Sequence, residues 1–326
     1  MYKPVKQLFG ALAAVAMLGM SAPALSEPLK IGYSDWPGWV AWEVAIENEW
    51  FKEEGVDVQF EWFDYVASMD AFAAGQLDAV AMTNGDALVT GATGARNVMI
   101  IINDYSNGND MIIAQRGIDS VADLKGKTIG VEIGFVSHLL LLNALEKNGM
   151  SESDVELVNV PTNETPQVLA SGNVDAIVAW QPSSGQALNL VPGSTAIYTS
   201  ADEPGLIYDV LAVSPTSLSA NRDAWIKVAR VWYRVVDYIQ DPATRAEAVS
   251  IMASRVGIPP ADYEAFIEGT KLLTHTEAME FFQKGDGFTS LYGSSKIADD
   301  FNVANDVYTE PQPVDDYIDA SITGAL

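Results

Sequence analysis

The chain has 326 residues, enough to bury one large or two medium-sized cores, and it contains no cysteine. Without cysteine there is no disulfide, no thiolate metal site and no thiol nucleophile. Its 44 Asp and Glu residues outnumber its 18 Lys and Arg residues, a formal net charge of −26. Such acidity argues against nucleic acid and anionic membranes as partners. A salty habitat and attraction of a cationic ligand would each explain the charge.

The first 26 residues have the features of a secretory signal peptide. Lys3 and Lys6 precede an apolar run over residues 8–18, and small residues at 24–26 suit cleavage before Glu27. The run is too short for a membrane anchor, which needs about 20 apolar residues. Removal leaves a formal charge of −28, from 16 basic and 44 acidic residues. Because no cysteine is available for a lipid anchor, we expect a freely diffusing periplasmic protein.

Short motifs recur in register about a hundred residues apart. The pairs are Ile31-Gly32-Tyr33 with Ile129-Gly130-Val131, Val56-Asp57-Val58 with Val155-Glu156-Leu157, and Gly75-Gln76-Leu77-Asp78-Ala79-Val80 with Gly172-Asn173-Val174-Asp175-Ala176-Ile177. Solenoid repeats have periods of roughly 20–50 residues, so a spacing this long indicates two similar lobes. Two lobes imply a cleft between them that can hold a ligand.

The first copy predicts strand 29–33, helix 39–54, strand 56–63, helix 68–74 and strand 79–82. The second predicts strand 128–131, helix 138–147, strand 155–160, helix 164–170 and strand 176–179. The order βαβαβ favours an α/β fold, each lobe a sheet of parallel strands flanked by helices. Strands are also predicted at 98–102, 111–114 and 208–213, and helices at 222–240, 242–256, 260–270 and 276–283. The tail, 307–318, is expected to wrap a lobe.

The chain should cross between the lobes near 115–119 and 201–206. Residues 27–115 and 203–326 then form a discontinuous lobe I, and residues 116–202 form lobe II as one insert. We expect the lobes to close on the ligand about these crossings.

The chemistry of common enzymes is missing from the sequence. The only histidines are His138 and His275, and there is no Gly-x-Ser-x-Gly elbow, no phosphate-binding or dinucleotide loop and no His-rich metal spacing. We therefore predict a binding protein that is not an enzyme and uses no metal or cofactor. A periplasmic hydrolase using a carboxylate of the cleft is the competing class.

Polar and aromatic residues gather where the predicted strands end, which is where α/β sheets bind ligands. These candidates are Asp35, Trp36, Trp39, Asp64, Tyr65, Thr83, Asn84, Asp86, Asp104, Tyr105, Asp110, Glu132, Phe135, Ser137, His138, Thr162, Asn163, Trp180, Gln181, Tyr208 and Asp209. Singly, the tryptophans could be core residues, Asp35 a helix cap, and Asp64 and Asp110 solvated turn acids. Asp78 and Asp175, inside the repeat, are predicted to be structural turn residues.

The predicted ligand-binding set is Asp35, Trp36, Trp39, Asp64, Asn84, Asp110, Glu132, His138, Trp180, Gln181 and Asp209. Acids and aromatics without Lys or Arg favour a small cation, which carboxylates pair and aromatic rings stack. A sulfonate or nitrate site should instead offer Arg, Lys or free helix N-termini. Since helix N-termini are predicted here, that alternative stays open.

Several motifs resemble the nitrate/sulfonate/taurine class of ABC-transporter substrate-binding proteins. They are Ile31-Gly32-Tyr33 with Asp35-Trp36, residues 75–80, Asp104-Tyr105-Ser106-Asn107-Gly108-Asn109-Asp110, Leu124-Lys125-Gly126-Lys127 and residues 174–182. The resemblance covers the mature chain. It implies a type II-like two-lobe periplasmic receptor, a monomer, that closes on a small solute and docks on an inner-membrane permease.

Residues 33–42, 198–202 and 291–296 also resemble the subgroup associated with urea carboxylase gene clusters. That association implies guanidine or a urea-like compound. Guanidinium, planar and weakly hydrated, agrees with the acids and tryptophans at the strand ends. The alternatives are taurine, an alkanesulfonate or nitrate, or a neutral urea-like solute.

Overall fold

A computed structural model describes residues 27–326, so the predicted signal peptide lies outside the described residues. The strands are β1 Leu29–Tyr33, β2 Val58–Trp62, β3 Ala79–Thr83, β4 Val98–Ser106, β5 Met111–Ala114, β6 Thr128–Val131, β7 Glu156–Asn159, β8 Ala176–Ala179, β9 Thr195–Thr199, β10 Tyr208–Val213 and β11 Thr270–Leu272. They form a six-stranded sheet, β11-β4-β10-β3-β1-β2, and a five-stranded sheet, β7-β6-β8-β5-β9. The predicted α/β class is confirmed.

The α-helices pack around both sheets. They are α1 Pro37–Val40, α2 Trp42–Glu47, α3 Trp50–Glu54, α4 Tyr65–Ala73, α5 Asn84–Ala92, α6 Val136–Lys147, α7 Thr165–Ala170, α8 Ser183–Leu190, α9 Pro215–Ala220, α10 Arg222–Gln240, α11 Arg245–Val256, α12 Pro260–Glu268, α13 His275–Phe281 and α14 Leu291–Ala304. Single 3-10 turns lie at Val121–Leu124, Glu152–Asp154, Thr162–Glu164, Ser200–Asp202, Val314–Tyr317 and Thr323–Ala325. Over residues 27–326, no helix is long and apolar enough to cross a membrane.

The sequence repeat corresponds to a repeated strand arrangement. In the first sheet β1 pairs in parallel with β2 and β3, and in the second β6 pairs in parallel with β7 and β8. The register is also the same: Ile31 is opposite Ala79, and Ile129 is opposite Ala176. The two copies therefore place the ends of equivalent strands at equivalent edges of the two sheets.

Asp78 and Asp175 make equivalent hydrogen bonds in the two copies. Asp78 Oδ2 accepts the Lys30 N–H at 2.9 Å, and Asp175 Oδ2 accepts the Thr128 N–H at 3.0 Å. Each carboxylate thus joins the turn before the third strand to the first strand of its own sheet. The structure places both residues in turns, as the sequence predicts.

The connection between the sheets differs from the prediction at one point. Strand β5 belongs to the second sheet, where it pairs antiparallel with β8 and β9, so the first connection runs over residues 107–110. The expected crossing at 115–119 is one strand too late, because the sequence pattern of residues 111–114 predicts a strand without indicating which sheet it joins. The second connection, 200–207, contains the expected 201–206.

Two helical predictions also differ from the structure. The predicted helix 39–54 is divided into α1, α2 and α3, and Glu49 takes a left-handed conformation with φ of 55° just before α3. The helix predicted over 260–270 ends at Glu268, after which β11 pairs with β4 at the sheet edge. Tertiary pairing overrides local helical preference there. The tail touches the first sheet through a bridge between Met99 and Ile318.

We expect Asp78→Ala and Asp175→Ala to lower the free energy of unfolding by similar amounts, about 0.5–1.5 kcal/mol, because each removes one hydrogen bond to a backbone N–H. Thermal unfolding measures this. The control is Asp70→Ala, an exposed acid on α4 whose loss should change stability little. Loss of ligand binding with unchanged stability in either variant would contradict the structural role.

Candidate functional site

Residues of both sheets and their helices enclose two adjoining spaces. An outer cleft of about 370 Å³, open to solvent, has walls that include Asp35, Asp64, Glu132 and Asn163. An inner cavity of about 10 Å³, roughly the space of one water molecule, is lined by Trp36, Trp39, Tyr65, Thr83, Asp110, Val136, Trp180, Ile207 and Asp209. Tyr65 and Trp180 line both spaces, so these two rings separate the inner cavity from the outer cleft.

Aromatic rings form the walls of the inner cavity. Trp39 stacks on Tyr65 with ring centroids 5.3 Å apart, and Trp36 lies 6.4 Å from Trp39. Trp180 meets Tyr65 edge-on at 5.2 Å. All four side chains are buried. A flat, apolar-walled space of this kind suits a planar ligand that is weakly hydrated or cationic.

Carboxyl groups supply the polar part of the cavity. Asp104 on β4 and Asp209 on β10 are register partners on adjacent strands, and both are buried. The two carboxyls are close enough that each affects the pKa of the other. Trp36 Nε1 donates to Asp104 Oδ1 at 3.0 Å. Within residues 27–326, the Oδ2 atoms of Asp104, Asp110 and Asp209 have no donor.

A glycine makes room for this acid pair. A Cβ atom at Gly38, in α1, would lie 1.9 Å from Asp104 Oδ2. Only glycine therefore lets α1 approach the carboxyl of Asp104 so closely. The turn after β1, with Trp36 beside Gly38, is shaped around this carboxyl.

Burial raises the pKa of several acids in the site. It raises the pKa of Asp110 and of Glu132 to about 7, and that of Asp35 to about 6. Burial raises the pKa of Asp104 to about 7, and burial together with the Asp104 carboxylate raises the pKa of Asp209 well above its ordinary value. Among the described residues that line the two spaces there is no Lys or Arg to offset this negative charge. A cation would supply the missing charge.

Hydrogen bonds join the two lobes across the site. Trp180 Nε1 lies 3.5 Å from Asp35 Oδ1, and Asn163 Nδ2 lies 3.4 Å from Asp64 Oδ1. Asp86 Oδ2 accepts the Val136 N–H at 3.3 Å. Each bond links a residue that precedes β5 to one that follows it, so these contacts hold the two walls of the site together.

The structure gathers most of the predicted ligand-binding set in one place. Trp36, Trp39, Asp110 and Asp209 line the inner cavity, Asp35, Asp64 and Glu132 line the outer cleft, and Trp180 lines both. Their assignment as ligand contacts stays a prediction.

Three predicted residues line neither space. Asn84 donates to Ser294 and accepts the Tyr208 N–H, which binds α5 to α14 and β10. Gln181 accepts the Gly185 N–H within its own turn. His138 accepts the Gly134 N–H at 3.3 Å, with its other ring nitrogen 3.3 Å from Glu152. Over the described residues, no group of three or more His, Asp or Glu side chains could hold a metal ion.

Sequence reasoning left several residues of the site out of the final set. Tyr65, Thr83, Asp86 and Asp104 follow predicted strands, and a stricter use of the strand-end rule would have kept them. Val136 and Ile207 carry no such signal. Val136 contributes its backbone N–H, which donates to Asp86. Since every residue except proline has such a group, the residue type gives no signal for this role.

A family model described as the NMT1-like family matches residues 22–253. The chain belongs to the NMT1-like family. A protein of Brucella abortus described as a binding protein is 28% identical over 280 residues, 83% of this chain and 85% of that protein. The taurine-binding periplasmic protein of Escherichia coli is 24% identical over 278 residues, 81% of this chain and 83% of that protein.

Solved structures show the same fold as this NMT1-like chain. The alkanesulfonate-binding protein of Xanthomonas axonopodis pv. citri, bound to MOPS, superposes with a TM-score of 0.72 at 18% identity, over 90% of this chain and 99% of that one. A desulfurization enzyme superposes with a TM-score of 0.63 at 16% identity, over 91% and 98% of the two chains. At such identities the likeness concerns the fold alone.

We expect the free energy of unfolding of the ligand-free protein to fall as pH rises from 5 to 8. Carboxyls titrate near about 4 in the unfolded chain but near 6–7 at Asp35, Asp110 and Glu132 in the fold. The folded state therefore binds more protons across this range, and stability is lost as they leave. One pKa unit corresponds to about 1.4 kcal/mol. Heat is the denaturant, because guanidinium and urea are both candidate ligands.

A matched pair of variants separates the site from the acidic surface. Asp110→Asn with Asp209→Asn should flatten the pH dependence, whereas Asp57→Asn with Asp70→Asn removes two exposed charges and should leave it nearly as steep. Equal slopes for the two double variants would show that the surface charge, not the buried carboxyls, controls stability.

Proposed function

We propose that this NMT1-like protein is the periplasmic solute receptor of an ABC importer and that it binds a small cation of guanidinium type. The observation that carries the proposal is the narrow inner cavity, where the buried carboxylates of Asp110 and Asp209 meet tryptophan rings that must move apart to admit the ligand. Relatives that are binding proteins support the receptor role. An inner-membrane permease as partner and a monomeric, unanchored state are part of the proposal.

Guanidinium fits the chemistry of this cavity. It is planar, so it can stack on a tryptophan ring, and its N–H groups can donate to two carboxylates at once. The unpaired Oδ2 atoms of Asp110 and Asp209 are acceptors without donors. A buried carboxylate without a partner is costly, and a bound cation that donates to it removes the cost.

Two observations favour other ligands. Relatives named for taurine and aliphatic sulfonates favour a sulfonate more directly than a cation. Trp39 Nε1, buried and without an acceptor among the described residues, would suit the carbonyl oxygen of a urea-like solute. Against a sulfonate stands the charge of the cavity, since an anion would meet carboxylates and no basic side chain in its described lining. Membership of the guanidine-associated subgroup is likewise a proposal.

We propose that the protein releases its ligand unchanged. One protein of the same fold is a desulfurization enzyme, so an enzymatic function is the competing hypothesis. A cysteine-to-serine variant of that enzyme was solved with biphenyl-2-sulfinic acid, and the present sequence contains no cysteine. Turnover of guanidine, urea or a sulfonate by the purified protein would overturn the receptor proposal.

Calorimetric titration should show binding of guanidinium and none of taurine or methanesulfonate. Asp110→Asn should weaken guanidinium binding by roughly 2–5 kcal/mol, because it removes a buried partner of the cation. Trp180→Ala should cost less, about 0.5–2 kcal/mol, for a lost cation–π contact. The control is Asp70→Asn, an exposed acid on α4. A wild type that binds taurine tightly and ignores guanidinium would make the sulfonate the ligand.

Guanidinium binding should release protons near pH 6.5 and should tighten as the pH rises to 8. Burial raises the pKa of Asp110 and Glu132 to about 7, and a bound cation lowers it again. Titrations in buffers of different ionisation enthalpy count the protons released. Binding without proton release would mean that the acids are already ionised in the empty site, and the receptor proposal would stand.

A further inference from the structure

The inner cavity is smaller than the ligand proposed for it, so one of its walls has to move. Its volume of about 10 Å³ is roughly the space of one water molecule, and four buried rings surround it. The rings are those of Trp36, Trp39, Tyr65 and Trp180. Of these four, Tyr65 and Trp180 also border the outer cleft, whose volume of about 370 Å³ leaves room for a displaced side chain. The moving wall is therefore one of these two rings.

Tyr65 is firmly fixed. Its hydroxyl donates to Asp86 Oδ2 at 2.6 Å and accepts the Thr83 N–H at 3.0 Å. Its ring stacks on Trp39, with the ring centroids 5.3 Å apart. Displacing this ring would take the hydroxyl donor away from Asp86, which is buried, and such a loss is costly. Tyr65 is therefore a fixed wall of the cavity.

The side chain of Trp180 is held less firmly. Its backbone is fixed, because its carbonyl oxygen accepts the Ser184 N–H at 2.8 Å. Its indole Nε1 donates to Asp35 Oδ1 at 3.5 Å, which is long for an N–H···O bond. The rings of Trp180 and Tyr65 meet edge to face, at an interplanar angle of 79°. A change of rotamer alone can therefore carry the indole ring away from Tyr65 and into the outer cleft.

Asp35 lies on the outer side of this ring. It lines the outer cleft and is not among the residues that line the inner cavity. We propose that Trp180 is the movable wall of the inner cavity and that Asp35 is the positioning residue that holds this ring closed. The inference rests on the proposed receptor function. Asp35 acts through the indole N–H and not through contact with the cation. Because Asp35 follows β1 and Trp180 follows β8, the bond forms only when the two halves of the site meet.

Fluorine NMR of the ligand-free protein, labelled with fluorotryptophan, follows the ring directly. Trp180→Phe assigns the Trp180 resonance by removing it. We expect Asp35→Ala to broaden or split that resonance, because the ring then exchanges between positions, and Asp35→Asn, which keeps an acceptor oxygen, to leave it a single narrow line. Asp70→Ala removes an exposed acid on α4 and is the control. A Trp180 line as narrow in Asp35→Ala as in the wild type would overturn the role of Asp35.

Calorimetric titration with guanidinium then shows whether Asp35 acts through Trp180. Asp35→Ala should raise the Kd about 2- to 10-fold, the equivalent of one hydrogen bond, whereas Asp35→Asn should stay close to the wild type. In a Trp180→Phe background, Asp35→Ala should have little further effect, because the bond is already lost.

Direct contact between Asp35 and the cation predicts a different pattern. Asp35→Asn would then weaken binding as much as Asp35→Ala, and the full loss would persist in the Trp180→Phe background. Either result would overturn the inference and make Asp35 a ligand-binding residue. Failure of the wild type to bind guanidinium would overturn the proposed ligand alone, since the NMR measurement needs no ligand and still decides the role of Asp35.

Discussion

Burial of several carboxyl groups without a basic partner is the constraint on which the site depends. Taking a carboxylate out of water is costly unless it is paired or protonated, and Asp104, Asp110 and Asp209 are all buried. The surrounding chain accommodates them through one donor, Trp36 Nε1, and through the absence of a side chain at Gly38. Burial raises the pKa values of Asp110 and Asp209 in the empty site. These acids therefore keep their protons to higher pH than exposed carboxyls do.

The repeated sheet arrangement supplies the geometry but not the chemistry. Equivalent strands end at equivalent edges in both halves, so side chains that follow β1, β3, β6 and β8 converge. The halves then contribute different groups. The first sheet carries the acids Asp104 and Asp209, whereas the second half contributes the ring of Trp180 and the N–H of Val136. Duplication of the backbone thus leaves a site that is asymmetric in charge.

The sequence predicts the parts of the fold that depend on local pattern. The in-register repeat predicts the two βαβαβ halves. Helix α10, Arg222–Gln240, has the predicted bounds because the sequence carries clear signals for its apolar face and for both of its ends. Strand β11 and helix α14 were not predicted, since β11 exists through pairing with β4. In the site, the strand-end rule found Trp36, Asp110 and Asp209 but also Asn84, Gln181 and His138. These last three satisfy nearby backbone groups, a role the residue letter does not distinguish from ligand contact.

Similarity of fold to sulfonate-binding proteins does not carry their ligand's charge to this chain. Proteins that share this fold at 18% identity have strand ends and helix starts in the same places. The side chains at those places determine whether the electrostatic potential of the site is positive or negative. A helix N-terminus is positive in any sequence, but the acids around it decide whether the site as a whole favours an anion or a cation. Here Asp86 accepts the Val136 N–H at 3.3 Å, and Asp110 and Asp209 line the inner cavity beside it. These buried carboxylates make the surroundings of the helix start negative, although the backbone fold is the one that sulfonate-binding proteins share.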